Sequence, residues 1–247
     1  MFFKVVSGNA EGQINGRRVN QRREGECDIL LGMETRYHHW FFDLDGTLAR
    51  TGEDIIAAWK GAITALGRDL SRFDEVFKIG PTLEKMVYEL YDDATPELVT
   101  ALMEAFKPLY DGSGFPNTVP YPGVPELLAA IRAAGGKCYV VTNKRHAATQ
   151  LIAKKFGWDR LMDGVWSYDT FGTKYKKPEL LAKLLADLGV DASEAVMVGD
   201  TKGDVDAGKA CGVATVGVTY GYGTREELSE SDHVFFSAGD IAKNLLI

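Results

Sequence analysis

The chain has 247 residues, of which 26% are charged, and its formal net charge at pH 7 is -7. This acidic balance argues against nucleic acid and anionic membrane as partners, because both repel a negative surface. Cys27, Cys138 and Cys211 are far apart and lack a metal-binding spacing, so we expect neither a disulfide framework nor a zinc site. The apolar runs are too short to span a bilayer, and we expect a cytoplasmic protein.

The N-terminal stretch differs from the rest of the chain. Residues 1–34 mix glycine, asparagine, glutamine and arginine without helical or strand periodicity, which predicts a poorly ordered extension. From Tyr37 to Phe42 the sequence is rich in aromatic residues and then passes into acids and a glycine. Such a run is typical of a buried strand that ends in a turn, so we place the first core strand here.

Residues 51–117 show a helical pattern, with apolar side chains recurring every three or four positions. Turn-forming residues at 111–117 close this stretch, which we predict to be an all-helical cap. After it, strand and helix patterns alternate. The predicted elements are helix 124–134, strand 137–142, helix 145–156, strand 164–167, helix 178–189, strand 195–199, helix 204–210 and strand 213–218.

This alternation predicts an α/β fold, because strands separated by single helices form right-handed crossovers and a parallel sheet. We expect a Rossmann-like core flanked by helices and built from residues 35–50 and 118–247. The cap at 51–117 is then an insertion after the first strand.

Polar side chains follow three of the predicted strands. Asp43 and Asp45 follow the first, Thr142 and Asn143 follow the strand at 137–142, and Asp200 follows the strand at 195–199. In open α/β sheets ligands bind beyond the carboxyl ends of the strands, so we expect these residues to share one site. If the backbone is extended, Asp43 and Asp45 point to the same side.

The residue types at this edge suit phosphate chemistry. Three carboxylates, those of Asp43, Asp45 and Asp200, would repel one another, and a hard cation such as Mg²⁺ relieves that repulsion. A phosphoryl group also needs positive charge and hydrogen-bond donors. Lys177, the Thr142 hydroxyl and the backbone near Asn143 supply them.

Two assignments rest on neighbouring residues. Lys174 and Lys176 are alternatives to Lys177, and the proline that directly follows Lys177 favours Lys177. Asp204 is predicted to open the helix at 204–210, where it either orients Lys177 or a metal-bound water or serves only as a helix cap.

Four short sequences in order resemble the motifs of the haloacid dehalogenase superfamily. They are Asp-Leu-Asp-Gly-Thr at 43–47, Val-Thr-Asn-Lys at 141–144, Lys-Pro at 177–178, and Val-Gly-Asp-Thr-Lys-Gly-Asp at 198–204. The helical insert resembles the type 1 cap. Gly-Pro at 80–81, Tyr-Pro-Gly at 121–123 and Thr-Tyr-Gly-Tyr-Gly at 219–223 resemble the phosphoglycolate phosphatase and 5'-nucleotidase-like branch.

The resemblance implies a role for each candidate residue. Asp43 would be the nucleophile and a metal ligand, and Asp45 would act as acid and base, with its backbone carbonyl on the metal. Thr142 and Lys177 would hold the phosphoryl group, and Asp200 would complete the metal site. The chain departs from the family after the first motif, where Arg50-Thr51 replaces the commoner acidic residue and serine.

We therefore expect a Mg²⁺-dependent phosphoric monoester hydrolase that acts through an aspartyl-phosphate on Asp43. Its partner would be a small phosphorylated metabolite, phosphoglycolate-like or a nucleoside monophosphate, and the sequence sets no oligomeric state. Two alternatives are a phosphomutase of the same fold, which carries both aspartates, and a non-catalytic binding scaffold. The intact set of acids and lysine argues against the scaffold.

Overall fold

Residues 35–172 and 174–246 are described by the computed structural model of the chain. The predicted extension at 1–34 lies outside them. In chain order the strands are β1 (His39–Phe42), β2 (Ala49–Arg50), β3 (Val119–Pro120), β4 (Lys137–Thr142), β5 (Gly164–Ser167), β6 (Ala195–Gly199), β7 (Ala214–Val218) and β8 (His233–Phe235). The helices are α1 (Gly52–Ala65), α2 (Phe73–Val76), α3 (Leu83–Leu90), α4 (Pro96–Asp111), α5 (Val124–Ala133), α6 (His146–Lys155), α7 (Lys177–Leu188), α8 (Lys202–Ala210) and α9 (Ala238–Leu245).

Six of the strands form one parallel sheet in the order β5-β4-β1-β6-β7-β8. This confirms the predicted α/β fold. The first strand of the chain lies in the middle, and Phe42 is in register with Val140 on one side and Val198 on the other. Because the strands are parallel, the residues that follow β1, β4 and β6 emerge together at one edge of the sheet.

Helices cover both faces of the sheet, which explains why its central strands are almost continuously apolar. Phe41, Tyr139 and Met197 belong to the apolar cluster on the face of α7, together with Leu181 and Leu184. The alternate strand residues belong to the larger cluster on the opposite face; they are Trp40, Phe42, Val140, Val196 and Val198. The period of two along each strand thus divides the side chains between the two layers.

The elements predicted from residue 124 onward are all present; the strands at 137–142, 164–167 and 195–199 have the predicted ends, and the other elements differ by one or two positions. The correction that concerns the site is at α8, which begins at Lys202, so Asp204 is the third helical residue and does not open the helix. Thr201 is the N-cap, and the Asp204 side chain accepts a hydrogen bond from its backbone N–H. This capping box extends the helix by two residues beyond the predicted start.

The helices α1–α4, which we call the cap helices, lie between β2 and β3. Ala49 of β2 pairs antiparallel with Pro120 of β3, so the two connections to the cap helices run side by side. Inside the cap helices α1 packs on α4, with the rings of Trp59 and Phe106 5.2 Å apart. Among the described residues, no helix combines the length and apolar character that crossing a membrane requires.

The buried carboxylate of Asp54, near the start of α1, holds the second connection. It accepts hydrogen bonds from the Thr118 hydroxyl at 2.7 Å and from the Asn117 backbone N–H at 3.1 and 3.2 Å. Both ends of the cap segment are therefore fixed to each other next to the sheet.

Candidate active site

The carboxylate of Asp43 lies at the carboxyl end of β1 and is almost completely buried. Its backbone N–H donates to the Val198 carbonyl at 2.9 Å, which continues the sheet by one residue. Lys177, the first residue of α7, places its Nζ 3.0 Å from Asp43 Oδ1 and 2.5 Å from Asp204 Oδ1. Of the three candidate lysines, Lys177 is therefore the one whose ammonium contacts the Asp43 carboxylate.

Three buried carboxylates form a cluster at this edge of the sheet. Asp43, Asp200 and Asp204 each offer an oxygen within 4.8 Å of the others. Asp200 follows β6 and is fully buried. Its two oxygens accept hydrogen bonds from the Thr47 hydroxyl at 3.1 Å and from the Tyr222 backbone N–H at 2.7 Å.

Charge repulsion inside the cluster shows in the pKa values. Burial and then the nearby Asp204 and Asp43 carboxylates raise the pKa of Asp200 to about 8. Burial, only partly offset by the Lys177 ammonium, raises the pKa of Asp43 to about 6. Although burial acts to lower it, the pKa of Lys177 is raised by Asp204 and Asp43. One lysine therefore does not neutralise the three acids, and the cluster favours further positive charge.

The cluster fits a hard divalent cation. Its donors are carboxylate oxygens, which Mg²⁺ prefers. Asp43 Oδ1 is buried and, among the described residues, has no hydrogen-bond partner beyond its ion pair with Lys177, so a lone pair remains for a cation. Gly46 allows the backbone to lie directly against the Asp200 carboxylate, since a Cβ there would lie 2.0 Å from Asp200 Oδ2.

The carboxylate of Asp45 does not join this cluster. The chain enters a turn at Leu44, whose carbonyl accepts backbone hydrogen bonds from Leu48 and Ala49, so β1 does not continue to residue 45. The Asp45 oxygens lie instead 3.0 and 3.1 Å from Lys144 Nζ. Asp45 thus faces the site from the side of β4, apart from the three clustered acids.

Thr142 and Asn143 lie on the same side of the site as Asp45. The buried Thr142 hydroxyl accepts the Lys144 backbone N–H at 3.2 Å, which fixes the turn after β4. The Asn143 side chain donates to the carbonyl of Gly80 in the loop between α2 and α3, at 3.3 Å. This bond joins the sheet edge to the cap helices.

A small inner cavity lies over these residues and continues into an open groove. The cavity has a volume of about 40 Å³, and Asp43, Asp45, Thr142, Asn143 and Lys144 line its floor. Its roof comes from the cap helices and the loops between them; it includes Ile55, Phe77, Ile79, Phe106 and Tyr110. The groove has a volume of about 1560 Å³ and shares Asn143, Arg145 and Tyr168 with the cavity. Four of the predicted residues, Asp43, Asp45, Thr142 and Asn143, thus meet at the inner cavity, and Lys177 lines the adjoining groove.

Comparison with known proteins agrees with this geometry. The sequence profile of the haloacid dehalogenase-like hydrolases matches residues 40–218, which include all four motifs. The chain belongs to this family. The resemblance stated from the motifs is therefore confirmed.

Individual relatives of this hydrolase carry phosphatase names. A 5'-nucleotidase of Pseudomonas aeruginosa is 34% identical over 199 residues, which cover 78% of this chain and 87% of the relative. A phosphoglycolate phosphatase of Aquifex aeolicus is 33% identical over 182 residues, which cover 73% and 84%. The crystal structure of a predicted phosphoglycolate phosphatase from Haemophilus somnus superposes with a TM-score of 0.75 at 26% identity, covering 85% of this chain and 98% of that one.

Two site residues of this haloacid dehalogenase-like hydrolase were not predicted. Lys144 was noted only as part of a motif, yet its ammonium contacts Asp45 and lies 4.6 Å from the centre of the Tyr110 ring. Tyr222 contacts Asp200 through its backbone. The aromatic ring beside Lys144 comes from a cap helix distant in sequence, so only the position of Lys144 directly after Thr142-Asn143 could have indicated its role.

Proposed function

We propose that the protein is a Mg²⁺-dependent phosphatase that hydrolyses a small phosphate monoester through an aspartyl-phosphate on Asp43. The observation that carries this proposal is the buried Asp43 carboxylate, which is paired with Lys177 and lies beside Asp200 and Asp204. A carboxylate can attack a phosphate dianion only where positive charge offsets their repulsion. Lys177 supplies part of that charge, and the acid cluster would hold the remainder as a cation.

In the first step an Asp43 oxygen attacks phosphorus, and the bond from phosphorus to the ester oxygen breaks. Asp45, whose carboxyl group lines the same cavity, gives a proton to the departing alcohol. Lys177, the Thr142 hydroxyl and the backbone at Asn143 hold the phosphoryl oxygens. Mg²⁺, bound by Asp43, Asp200 and the Asp45 backbone carbonyl, would stabilise the charge of the transferred group.

In the second step water attacks the phosphorus of the aspartyl-phosphate, and Asp45 takes the proton that water releases. The bond between phosphorus and the Asp43 oxygen breaks, which restores the carboxylate and frees phosphate. Asp204 holds the Lys177 ammonium in both steps, since its Oδ1 is 2.5 Å from Lys177 Nζ. Its Oδ2 accepts hydrogen bonds from the Thr201 hydroxyl and backbone N–H. Asp204 is thus both a helix cap and the residue that positions Lys177.

The size of the cavity supports a small substrate. A volume of about 40 Å³ leaves little space beyond a phosphoryl group while the cap helices stay in place. The rest of the substrate would lie in the adjoining groove, whose lining carries Lys78, Arg145 and Lys176. A phosphoglycolate-like ester or a nucleoside monophosphate fits this division, in agreement with the names of the relatives.

A panel of phosphate esters tests the proposal. Phosphoglycolate, nucleoside monophosphates and sugar phosphates are incubated with Mg²⁺ or with EDTA, and free phosphate and isomerised sugar phosphate are both measured. We expect Mg²⁺-dependent release of free phosphate and its loss in Asp43→Asn. Isomerised product without free phosphate would support the phosphomutase instead, and no reaction with any ester would support the binding scaffold.

A further inference from the structure

The loop after β7 contains a segment that the proposed reaction does not use. Residues 219–223, which we call the tyrosine segment, have the sequence Thr-Tyr-Gly-Tyr-Gly. They lie between the acid cluster and the first connection to the cap helices. The contacts of Tyr222 and Tyr220 show how these two parts of the molecule are joined.

Tyr222 contacts the acid cluster and α1 at the same time. Its backbone N–H donates to Asp200 Oδ2 at 2.7 Å. Its phenolic oxygen accepts the backbone N–H groups of Thr51 at 2.7 Å and Gly52 at 2.6 Å. The first N–H groups of a helix have no acceptor within the helix, and here one tyrosine oxygen supplies it for two of them. A single residue therefore links Asp200 to the start of the cap helices.

The tyrosine segment is packed against Asp200 without free space. A Cβ at Gly221 would lie 2.3 Å from Asp200 Oδ2, and a Cβ at Gly223 would lie 2.0 Å from the Asp200 carbonyl oxygen. Both distances are too short for any side chain, so the backbone of residues 221–223 lies directly against Asp200. A shift of Asp200 therefore moves the segment, because close-packed groups transmit displacement.

Tyr220 extends the contact to the other connection. Its hydroxyl donates to the Thr47 carbonyl at 3.1 Å, and its ring centre is 4.7 Å from that of Tyr121, which directly follows β3. The tyrosine segment thus meets both chain connections between the sheet and the cap helices.

The start of α1 contacts the residues that form the roof of the inner cavity. A Cβ at Gly52 would lie 2.8 Å from Ile79 Cδ1, so α1 begins in direct contact with the loop that carries Ile79. Ile79 and Ile55 both line the inner cavity. The position of residues 51–52 therefore determines how the apolar roof lies over Asp43.

We propose that Tyr222 is a positioning residue that couples cation binding at Asp200 to the placement of the cap helices over the substrate. The proposal rests on the proposed function, because it takes the acid cluster as the cation site. Cation binding holds Asp200 in place, Asp200 holds the Tyr222 backbone, and the Tyr222 hydroxyl holds the N-terminus of α1. Binding at one site thereby favours the arrangement that the other site needs.

Tyr222→Phe tests this coupling, since it removes only the oxygen and keeps the ring and the backbone N–H. Tyr139→Phe is the matched control; its hydroxyl pairs with His39, the first residue of β1, and it is not among the residues that line the cavity or the groove. Hydrogen exchange of the backbone N–H groups of Thr51 and Gly52 is followed by mass spectrometry, in EDTA, in Mg²⁺ alone, and in Mg²⁺ with inorganic phosphate. Thermal melts establish that each variant is folded.

In the wild type and in Tyr139→Phe, we expect Mg²⁺ to slow exchange at residues 51–52. In Tyr222→Phe these amides should exchange about tenfold faster in EDTA, the effect of losing one or two ordinary hydrogen bonds. The response to Mg²⁺ at residues 51–52 should also disappear. With a substrate ester, KM of Tyr222→Phe should rise about tenfold while kcat stays within about twofold, because the groups that react with phosphorus are unchanged.

Either of two exchange results would overturn the coupling: exchange at residues 51–52 that does not respond to Mg²⁺ in the wild type, or a Mg²⁺ response that persists in Tyr222→Phe. A fall in kcat at constant KM would also overturn it. The exchange measurement does not need turnover. Slower exchange with Mg²⁺ in a wild-type protein that hydrolyses no ester would refute the phosphatase and support the coupling.

Discussion

Replacing Lys177 with methionine removes the ammonium group that lies between two buried carboxylates. The side chain of Lys177 is 5% exposed, and those of Asp43 and Asp204 are 5% and 2% exposed, so water cannot take the place of the lost charge. Methionine keeps most of the volume of the lysine stem. The change therefore tests the charge of Lys177 with little effect on packing.

The expected loss of stability is large for a single substitution. Removing one partner of a buried ion pair costs about 3 to 5 kcal/mol, because the remaining charge stays buried and unpaired. For a chain of this size that lowers Tm by roughly 6 to 20 °C. The loss should be greater near about pH 8 than near about pH 5.5, since the acids can take up protons at the lower pH. Mg²⁺ should restore part of the stability, because it supplies positive charge to the same acids.

Thermal melts with Mg²⁺ and with EDTA, at both pH values, measure these effects, and phosphate release measures activity. We expect kcat to fall by about 10² to 10³, the usual effect of removing one donor to a transition-state oxyanion. Lys176→Met is the matched control: it makes the same substitution at an exposed neighbour and should leave Tm nearly unchanged. A Tm of Lys177→Met within about 2 °C of the wild type, with no response to Mg²⁺, would refute the buried pairing.

Three further predictions concern the acids and the glycine beside them. Asp45→Asn should lower kcat by about 10² to 10⁴ with little change in KM, as expected for loss of a general acid and base; wild-type kcat in a phosphate-release assay would contradict that role. In the metal-free protein, burial raises the carboxyl pKa from its ordinary value of 3.8 to about 6 for Asp43 and about 8 for Asp200. Between these pH values the native state still holds protons that the unfolded chain has lost. The free energy of unfolding should therefore fall as the pH rises through this window. Mg²⁺ displaces those protons, so the increase in Tm that Mg²⁺ causes should be larger at about pH 8 than at about pH 5. An equal increase at both pH values would contradict the assignment of the acid cluster as the cation site. Gly46→Ala places a Cβ 2.0 Å from Asp200 Oδ2 and should cost about 3 kcal/mol or more in denaturant unfolding, whereas Gly67→Ala, with similar positive φ but open space, should cost only about 1 to 2 kcal/mol. Equal losses in the free energy of unfolding at the two glycines would mean that Asp200 moves away from the new Cβ, which would contradict the close packing.

Local patterns predicted the central sheet because its strands are apolar runs that end in acids, hydroxyls or amides. They did not predict β2 and β3, which have two residues each and too few positions to show a period. The same limit applies to β8, whose three residues are all half-buried. These short strands form by pairing with partners elsewhere in the chain, and that information is absent from any single window of sequence.

The sequence predicted those site residues that directly follow a strand of the central sheet. Asp43, Thr142 and Asp200 come together because β1, β4 and β6 are neighbours in register. The direction of the Asp45 side chain could not be predicted, because it depends on the turn at Leu44 and on the buried Lys144. The contacts of Tyr222 depend in the same way on the folded positions of distant segments.

Phosphorylation of Asp43 during turnover tests the central claim most directly. The protein is mixed with its best ester and Mg²⁺, quenched in acid, digested and analysed by mass spectrometry, with Asp43→Asn treated in parallel. We predict a hydroxylamine-sensitive phosphate on the peptide that contains Asp43 in the wild type. The variant should show no phosphopeptide and no phosphate release. Turnover by Asp43→Asn at the wild-type rate, or phosphate on another residue of the wild type, would contradict the account.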